Sequence, residues 1–313
     1  MNAGSNDLAP AAVASRLATR RLGRTYEFLE SCATTNDEIA RRAASGAEEG
    51  LLVVADAQSG GRGRRGRSWH SPANENLYFS LLLRPALSAR LASPLTLLAG
   101  AALAQTLADL GFTPRLKWPN DVLLESNIRR EPSKGSQNLG PFPPPSSPLA
   151  SLGLARSGSA GQSPATPTRS LAGLRKVAGI LAEMASEGDR VRHVVLGIGI
   201  NVNSQEFPKS LQAIATSLRV VHGQAVDRGR LLAGFLNAFE PIYDGFLAAG
   251  PAAGLREWNQ HALLGQPCWV DRPSGRLEGV AAGTDETGAL LLRTATGETV
   301  SVHAGEVNWL SSP

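Results

Sequence analysis

A chain of 313 residues, 42% hydrophobic and 19% charged, can hold one large or two ordinary domains with a full core, in the range of soluble globular proteins. Two cysteines far apart in sequence, Cys32 and Cys268, and five scattered histidines argue against a disulfide framework or a zinc cluster. No apolar run reads as a membrane span and the start lacks a signal-peptide core, so the expectation is a cytoplasmic protein with no membrane partner; the net charge of +4 and pI near 9.4 favour anionic partners in general.

Residues 1–25 read as a flexible, frayed N-terminus with at most a short helix over Ala11–Arg21, too few for a winged-helix DNA-binding domain. Tyr26–Glu30 predicts a first strand. Cys32–Glu38 opens a helix that should stop near Gly46, and Thr35 followed by Glu38 fits a capping box, which explains Thr34-Thr35-Asn36 without any ligand. Leu51–Asp56 and Leu77–Leu83 predict two core strands. Between them runs Gly60-Gly61-Arg62-Gly63-Arg64-Arg65-Gly66-Arg67-Ser68-Trp69. Glycine allows close backbone approach and arginine matches phosphate and carboxylate bidentately, so this loop suits an anion. Arg/Gly-rich runs also occur in disordered nucleic-acid-binding segments, but those repeat and sit at termini, whereas this run is single and internal.

Ser93-Pro94 predicts a helix start with a cap and an N1 proline, and Gly111 its end. In Arg115–Leu124, Pro119 separates two short strands and leaves Asn120 and Asp121 at the break, a turn or a place from which polar groups reach a ligand. From about Ser126 to Gly173, half of the residues are Pro, Ser or Gly. Strand-like segments flank this low-complexity stretch, so it reads as an insertion in one domain, at a closure cost of only about 2 kcal/mol. Val177–Met184 and His193–Asn203 predict strands, and Gly197 and Gly199 inside the second suggest close approach to its backbone or tight packing. Helices follow over about 227–249, bent or interrupted at Pro241, and over Leu255–His261. Four short strands between Gln266 and Val302 predict a small β-barrel or sandwich.

The combination of Gly61–Trp69, Lys117-Trp118-Pro119-Asn120-Asp121, Lys176–Glu183 and Gly197–Asn201, in that order, resembles the biotin–protein ligase family, in its monofunctional type. The resemblance implies an α+β fold: a class II synthetase-like mixed sheet with backing helices, plus a small C-terminal SH3-like β-barrel. It implies a catalytic domain over 26–264, interrupted by the insertion at about 126–173, and a C-terminal domain over 265–313. It further implies that biotin and ATP give biotinyl-5′-AMP, with Mg2+, and that biotin then passes to a lysine of a biotin carboxyl carrier protein such as that of acetyl-CoA carboxylase. DNA is not an expected partner, and a homodimer is left open.

Carried over by resemblance, Lys176, Arg62 and Arg64 are the catalytic candidates. Thr34, Thr35, Asn36, Gln58, Arg62, Gly63, Arg64, Lys176 and Gly179 would bind biotin. Arg65, Arg67, Trp69, Asn120, Asp121, Gly197 and Asn201 would bind the nucleotide, and metal ligands are not assigned. Lys176 could bridge carboxylate and α-phosphate as charge develops. Rival readings are a lipoate or octanoyl transferase of the same fold, a nucleic-acid-binding protein using Arg62–Arg67, and an inactive scaffold.

Overall fold

A computed structural model describes residues 7–126, 171, 173–272 and 275–309. Strands β1 (Tyr26–Cys32), β2 (Leu52–Gln58), β3 (Leu77–Leu83), β4 (Arg115–Lys117), β5 (Asp121–Glu125), β6 (Leu174–Glu187) and β7 (Arg190–Ile200) form one sheet in the order β1-β2-β3-β7-β6-β5-β4. Only β1 and β2 are parallel, so the sheet is mixed. Helices are α1 (Pro10–Ala14), α2 (Thr35–Ala44), α3 (Leu95–Asp109), α4 (Leu218–His222), α5 (Arg228–Ala249) and α6 (Ala252–His261).

Side-chain alternation divides the strands between two faces. Leu52, Val54, Leu77, Phe79, Leu81, Leu196 and Ile198 join the main core with residues of α3, α5 and α6. Val53, Leu82 and Val195 face the other way, against Ile39 and Ala43 of α2. Ser80, Gly179, Gly197 and Gly199 share that second face by register, and the site forms there.

Several expectations are corrected. Ala89–Asp109 is long and apolar enough to cross a membrane by composition, with mean hydropathy 1.4, but two-thirds of that stretch is buried in the protein, where it serves as a core helix. The expected cap on α3 does not form: Pro94 itself is the N-cap and no side chain caps it. On α2 the cap lies one residue earlier than expected, with Thr34 Oγ1 accepting from the Asp37 N–H, while Glu38 pairs with Arg41 and Arg42. Thr35 is buried and is drawn inward to Ser80 instead. α5 runs unbroken through Pro241.

The frayed N-terminus is also overturned over residues 7–25. Leu8, Val13 and Leu22 are fully buried and α1 packs on α5. The Glu240 carboxylate on α5 accepts the backbone N–H groups of Arg20 (2.6 Å), Arg21 (2.9 Å) and Leu22 (3.0 Å). Arg228, at the start of α5, is held between Asp7 and Asp56, both at 2.7 Å. The segment has no periodic apolar pattern, which is why its docking was not readable.

Residues 127–170 and 172 of the expected insertion lie outside the described residues. Its two ends meet: the Ser126 N–H donates to Gly173 O at 2.8 Å, directly beyond the antiparallel β5–β6 ladder. Lys176 therefore keeps its place beside Leu123 despite the intervening chain.

Strands β8 (Pro267–Arg272), β9 (Gly275–Thr284), β10 (Leu290–Arg293), β11 (Thr299–Val302) and β12 (Val307–Trp309) form an antiparallel sheet ordered β11-β10-β9-β8-β12. β12 was too short to be predicted. This C-terminal module docks on the first sheet through Trp118 Nε1, which donates to Gly288 O at 3.0 Å, and the segment leading into it is tied to β4 by the Leu263 N–H, which donates to Leu116 O.

Burial opposes ionisation of Glu240, but the three N–H donors and the Arg21 charge outweigh it and hold its carboxyl below the usual range. A depressed carboxylate contributes stability above its unfolded-state pKa and loses it as pH falls through the folded value. Glu240→Ala is expected to lower the unfolding free energy by about 2–4 kcal/mol near pH 7, measured in urea, with the gap to the wild type narrowing below about pH 4.

Candidate active site

The floor of the site is a patch of sheet without side chains. A Cβ on Gly197 would lie 2.0 Å from Asn36 Oδ1, and one on Gly199 would lie 2.6 Å from Trp69 Nε1. On Gly179 it would come within 3.1 Å of Trp69, Lys176 Cε and Lys176 Nζ. The two glycines of β7 thus admit the protein's own side chains, one from the start of α2 and one from the end of the arginine loop.

Around this floor the expected residues form a polar chain. Ser80 Oγ hydrogen-bonds Asn36 Oδ1 at 2.6 Å and Thr35 Oγ1 at 2.7 Å. Asn36 Nδ2 donates to Glu183. Gln58 Oε1 accepts from the Thr35 N–H at 2.9 Å, and Gln58 Nε2 donates to Ser71 Oγ at 3.2 Å. These bonds fix the orientation of Thr35, Asn36 and Gln58, and burial makes each of them costly to leave unmade.

Two cavities meet at the arginine loop. The smaller, about 50 Å³, is lined by Thr34, Thr35, Asn36, Gln58, Arg62 and Gly197, among others. It has space for only a few water-sized molecules. The larger, about 440 Å³, is lined by Lys117, Asp121, Asn201, Ile214, Glu306 and Trp309, among others. Gly63, Arg64, Trp69, Asn120 and Lys176 line both, so they form the partition. Gly179, a biotin-side candidate by resemblance, and Gly197, a nucleotide-side candidate, both line the smaller cavity; Asn36 occupies the space over Gly197.

At the partition Lys176 Nζ lies 2.6 Å from Asp121 Oδ1, an ion pair off hydrogen-bond alignment, and 5.1 Å from the centre of the Trp69 ring. The Arg64 guanidinium makes no ion pair or hydrogen bond with the described residues; burial, and then the neighbouring Arg65 charge, lower its pKa. Burial likewise lowers that of Lys117. Desolvated cations with few fixed partners favour an incoming anion. The indole N–H groups of Trp69 and Trp309 are buried without a partner as well.

Most of the other site candidates are held by partners within the protein. Arg62 is turned onto Asp37 in a bidentate pair, with Nη1 3.0 Å from Oδ2, and Glu183 lies 3.8 Å away. Arg67 pairs with Glu306. Arg65 stands exposed at φ +56° and lines neither cavity. The Asn201 amide donates to Thr216 O at 3.1 Å, holding the chain segment that carries Ile214 beside the larger cavity. Asn120 is fixed to β6, its amide donating to Ile180 O at 3.1 Å. Sequence reasoning missed Ser80, Glu306 and Trp309; Lys117 and Glu183 stood within recognised motifs without an assigned role. A third cavity, about 390 Å³, reaches Arg64 and Asn120 from the side of Thr287 and His303.

Residues 28–135 match the Biotin/lipoate A/B protein ligase family, and residues 263–308 match the Biotin protein ligase C terminal domain. The chain is 31% identical over 285 residues to a biotin–[acetyl-CoA-carboxylase] ligase of Paracoccus denitrificans, covering 88% of this chain and 96% of that protein. It is 30% identical over 291 residues to the ligase of the same name from Mycobacterium tuberculosis, covering 91% and 88%. With the bifunctional ligase/repressor BirA of Bacillus subtilis it shares 33% identity over 276 residues, covering 87% and 69%. A biotin protein ligase from Aquifex aeolicus, in complex with biotin and ATP, shares the fold with a TM-score of 0.67 at 24% identity, over 92% of this chain and 100% of that one.

Because the Trp69 indole lies directly over Gly199, Gly199→Ala should lift it from the sheet. The expected outcome is a shift of tryptophan emission together with a loss of about 1–3 kcal/mol of stability, read by fluorescence and chemical unfolding of the same variant.

Proposed function

The chain belongs to the biotin protein ligase family, and from that premise we propose that it builds biotinyl-5′-AMP across its two adjoining cavities. Biotin is then passed to a lysine of a biotin carboxyl carrier protein. The observation that carries this reading is the shared wall: Lys176, Arg64 and Asn120 face both cavities at once. A carboxylate in the smaller cavity and a triphosphate in the larger would meet there.

In the first step a carboxylate oxygen of biotin attacks the α-phosphorus, the bond to the bridging oxygen breaks, and pyrophosphate leaves. Two anions must approach one another, and a cation common to both lowers that repulsion most where charge builds up. Lys176 is suited to this: its ammonium is anchored by Asp121 and Trp69 at the junction. Arg64 supports the same phosphate as a desolvated cation. Thr35, Asn36 and Gln58, already oriented by their hydrogen bonds, present polar groups to biotin. The smaller cavity is too tight for a bicyclic acid, so biotin enters as Trp69 and the arginine loop move, and their return excludes water from the mixed anhydride.

In the second step an uncharged lysine amine attacks the acyl carbon, the bond to AMP breaks, and a proton leaves the nitrogen. The third cavity offers the route, since it reaches Arg64 and Asn120, which also line the other two. Cations near its inner end favour the neutral, nucleophilic form of the amine.

The donor set fits magnesium arriving with the nucleotide. Among the described residues no group of three His, Cys, Asp or Glu could hold a metal alone. Mg2+ typically uses one or two carboxylates plus substrate phosphates, and Asp121, whose Oδ1 is ion-paired with Lys176, brings its carboxylate to the larger cavity. Such an ion would neutralise phosphate charge.

ATP-dependent attachment of labelled biotin to a carrier domain tests the reading, with lipoate in parallel. Lys176→Ala should lower adenylate formation by about 100-fold or more, whereas attachment of lipoate in place of biotin would overturn the substrate. Removing residues 127–170 should leave adenylate formation within about threefold of the wild type, because the β5–β6 stem closes at Ser126 and Gly173; a large loss of rate would show that the insertion contributes to the site.

A further inference from the structure

The C-terminal module sends two side chains to the wall of the larger cavity, Glu306 and Trp309. Trp309 is an unpartnered donor, which suits a ligand. Glu306 is the puzzle, because a carboxylate on the wall of a polyphosphate site repels its ligand. Its side chain is only 26% exposed and is paired with Arg67 of the arginine loop, which lines the same cavity. Burial alone would push the Glu306 carboxyl up, but the Arg67 hydrogen bond and the charges of Arg67, Lys117 and Arg65 outweigh it and hold it low. Glu306 therefore sits as an anion among the cations that a phosphate would seek.

We propose that Glu306 and the nucleotide's phosphates are alternative partners of Arg67. The carboxylate holds the arginine and ties the loop to the C-terminal module, until phosphate takes the arginine over and the tie is released. After pyrophosphate leaves, Arg67 returns to Glu306, and the loop is tied down again over the adenylate. Glu306 is a positioning residue in this scheme, acting on the ligand through Arg67. Glu306 immediately precedes β12, so the strand that ends at Trp309 brings both side chains to the wall of the cavity. The proposal rests on the ligase reading only for the identity of the nucleotide.

The experiment is calorimetric titration of the full-length protein with ATP, in the wild type and in Glu306→Gln, at two salt concentrations. Removing the competing charge should tighten ATP binding by about three- to tenfold at low salt, and less at high salt. Glu306→Asp, which keeps the charge but shortens its reach, should fall between, and melting temperatures report whether either variant is misfolded. Unchanged or weaker ATP binding in Glu306→Gln overturns the proposal, since a carboxylate that merely braced Arg67 for phosphate, or that held the metal, would give that result. Biotin-dependent pyrophosphate release by the wild type is followed separately; its absence would count against the ligase reading, while the ATP titration still decides the exchange.

Discussion

The structure turns on contact between bare backbone and side chains that arrive from elsewhere in the chain. Gly179, Gly197 and Gly199 remove three side chains from one face of β6 and β7. Into that space come Asn36 from α2, Trp69 from the arginine loop and Lys176 from β6 itself. Glycine within a strand weakens the strand, and here the cost is offset by a β7 that is buried over Val194–Ile198 and paired on both sides, with β3 and β6. The opposite face of the same strands carries large aliphatic residues into the main core, so the sheet stays rigid where the site needs it. A loop with four glycines would have little defined geometry alone. It gains some by laying its terminal tryptophan on this floor.

A second theme is that three of the four loop arginines have found a carboxylate or a desolvated position, while Arg65 stands exposed. Arg62 rests on Asp37, Arg67 on Glu306, and Arg64 stands partly buried and unpaired between the two cavities. Exposed ion pairs of this kind are weak, typically about 0–1 kcal/mol. That weakness suits a loop that must open, because partners of higher charge density can displace them. The buried and better-satisfied charges, Arg228 between Asp7 and Asp56 and Glu240 on three backbone donors, hold the scaffold instead. Strong electrostatics lies away from the site, and exchangeable electrostatics lies within it.

How much of this was legible in the sequence follows from how local each signal is. Leu77–Leu83 and the strands around Lys176 and Gly197 could be read because their apolar runs and alternation are carried within a few residues. The arginine loop and the Asn120-Asp121 break were legible for the same reason. The cap on α2 was misplaced by one residue because Thr34 and Thr35 are equally able to cap, and only burial against Ser80 decides between them. Glu306 and Trp309 had no local signal, since their role depends on how the C-terminal module docks. The N-terminal segment escaped because its buried residues, Leu8, Val13 and Leu22, follow no period and its main partner, Glu240, lies far along the chain.

The fit of Asn36 over Gly197 and of Trp69 over Gly199 has an implication for how this chain can change. Each pair is one volume shared by two distant positions. A methyl group gained at either glycine has to be matched by bulk lost at its partner, so neither position can vary on its own without displacing a site residue. The helix start, the arginine loop and the seventh strand, though encoded far apart, are therefore bound to drift together, as a single unit of inheritance.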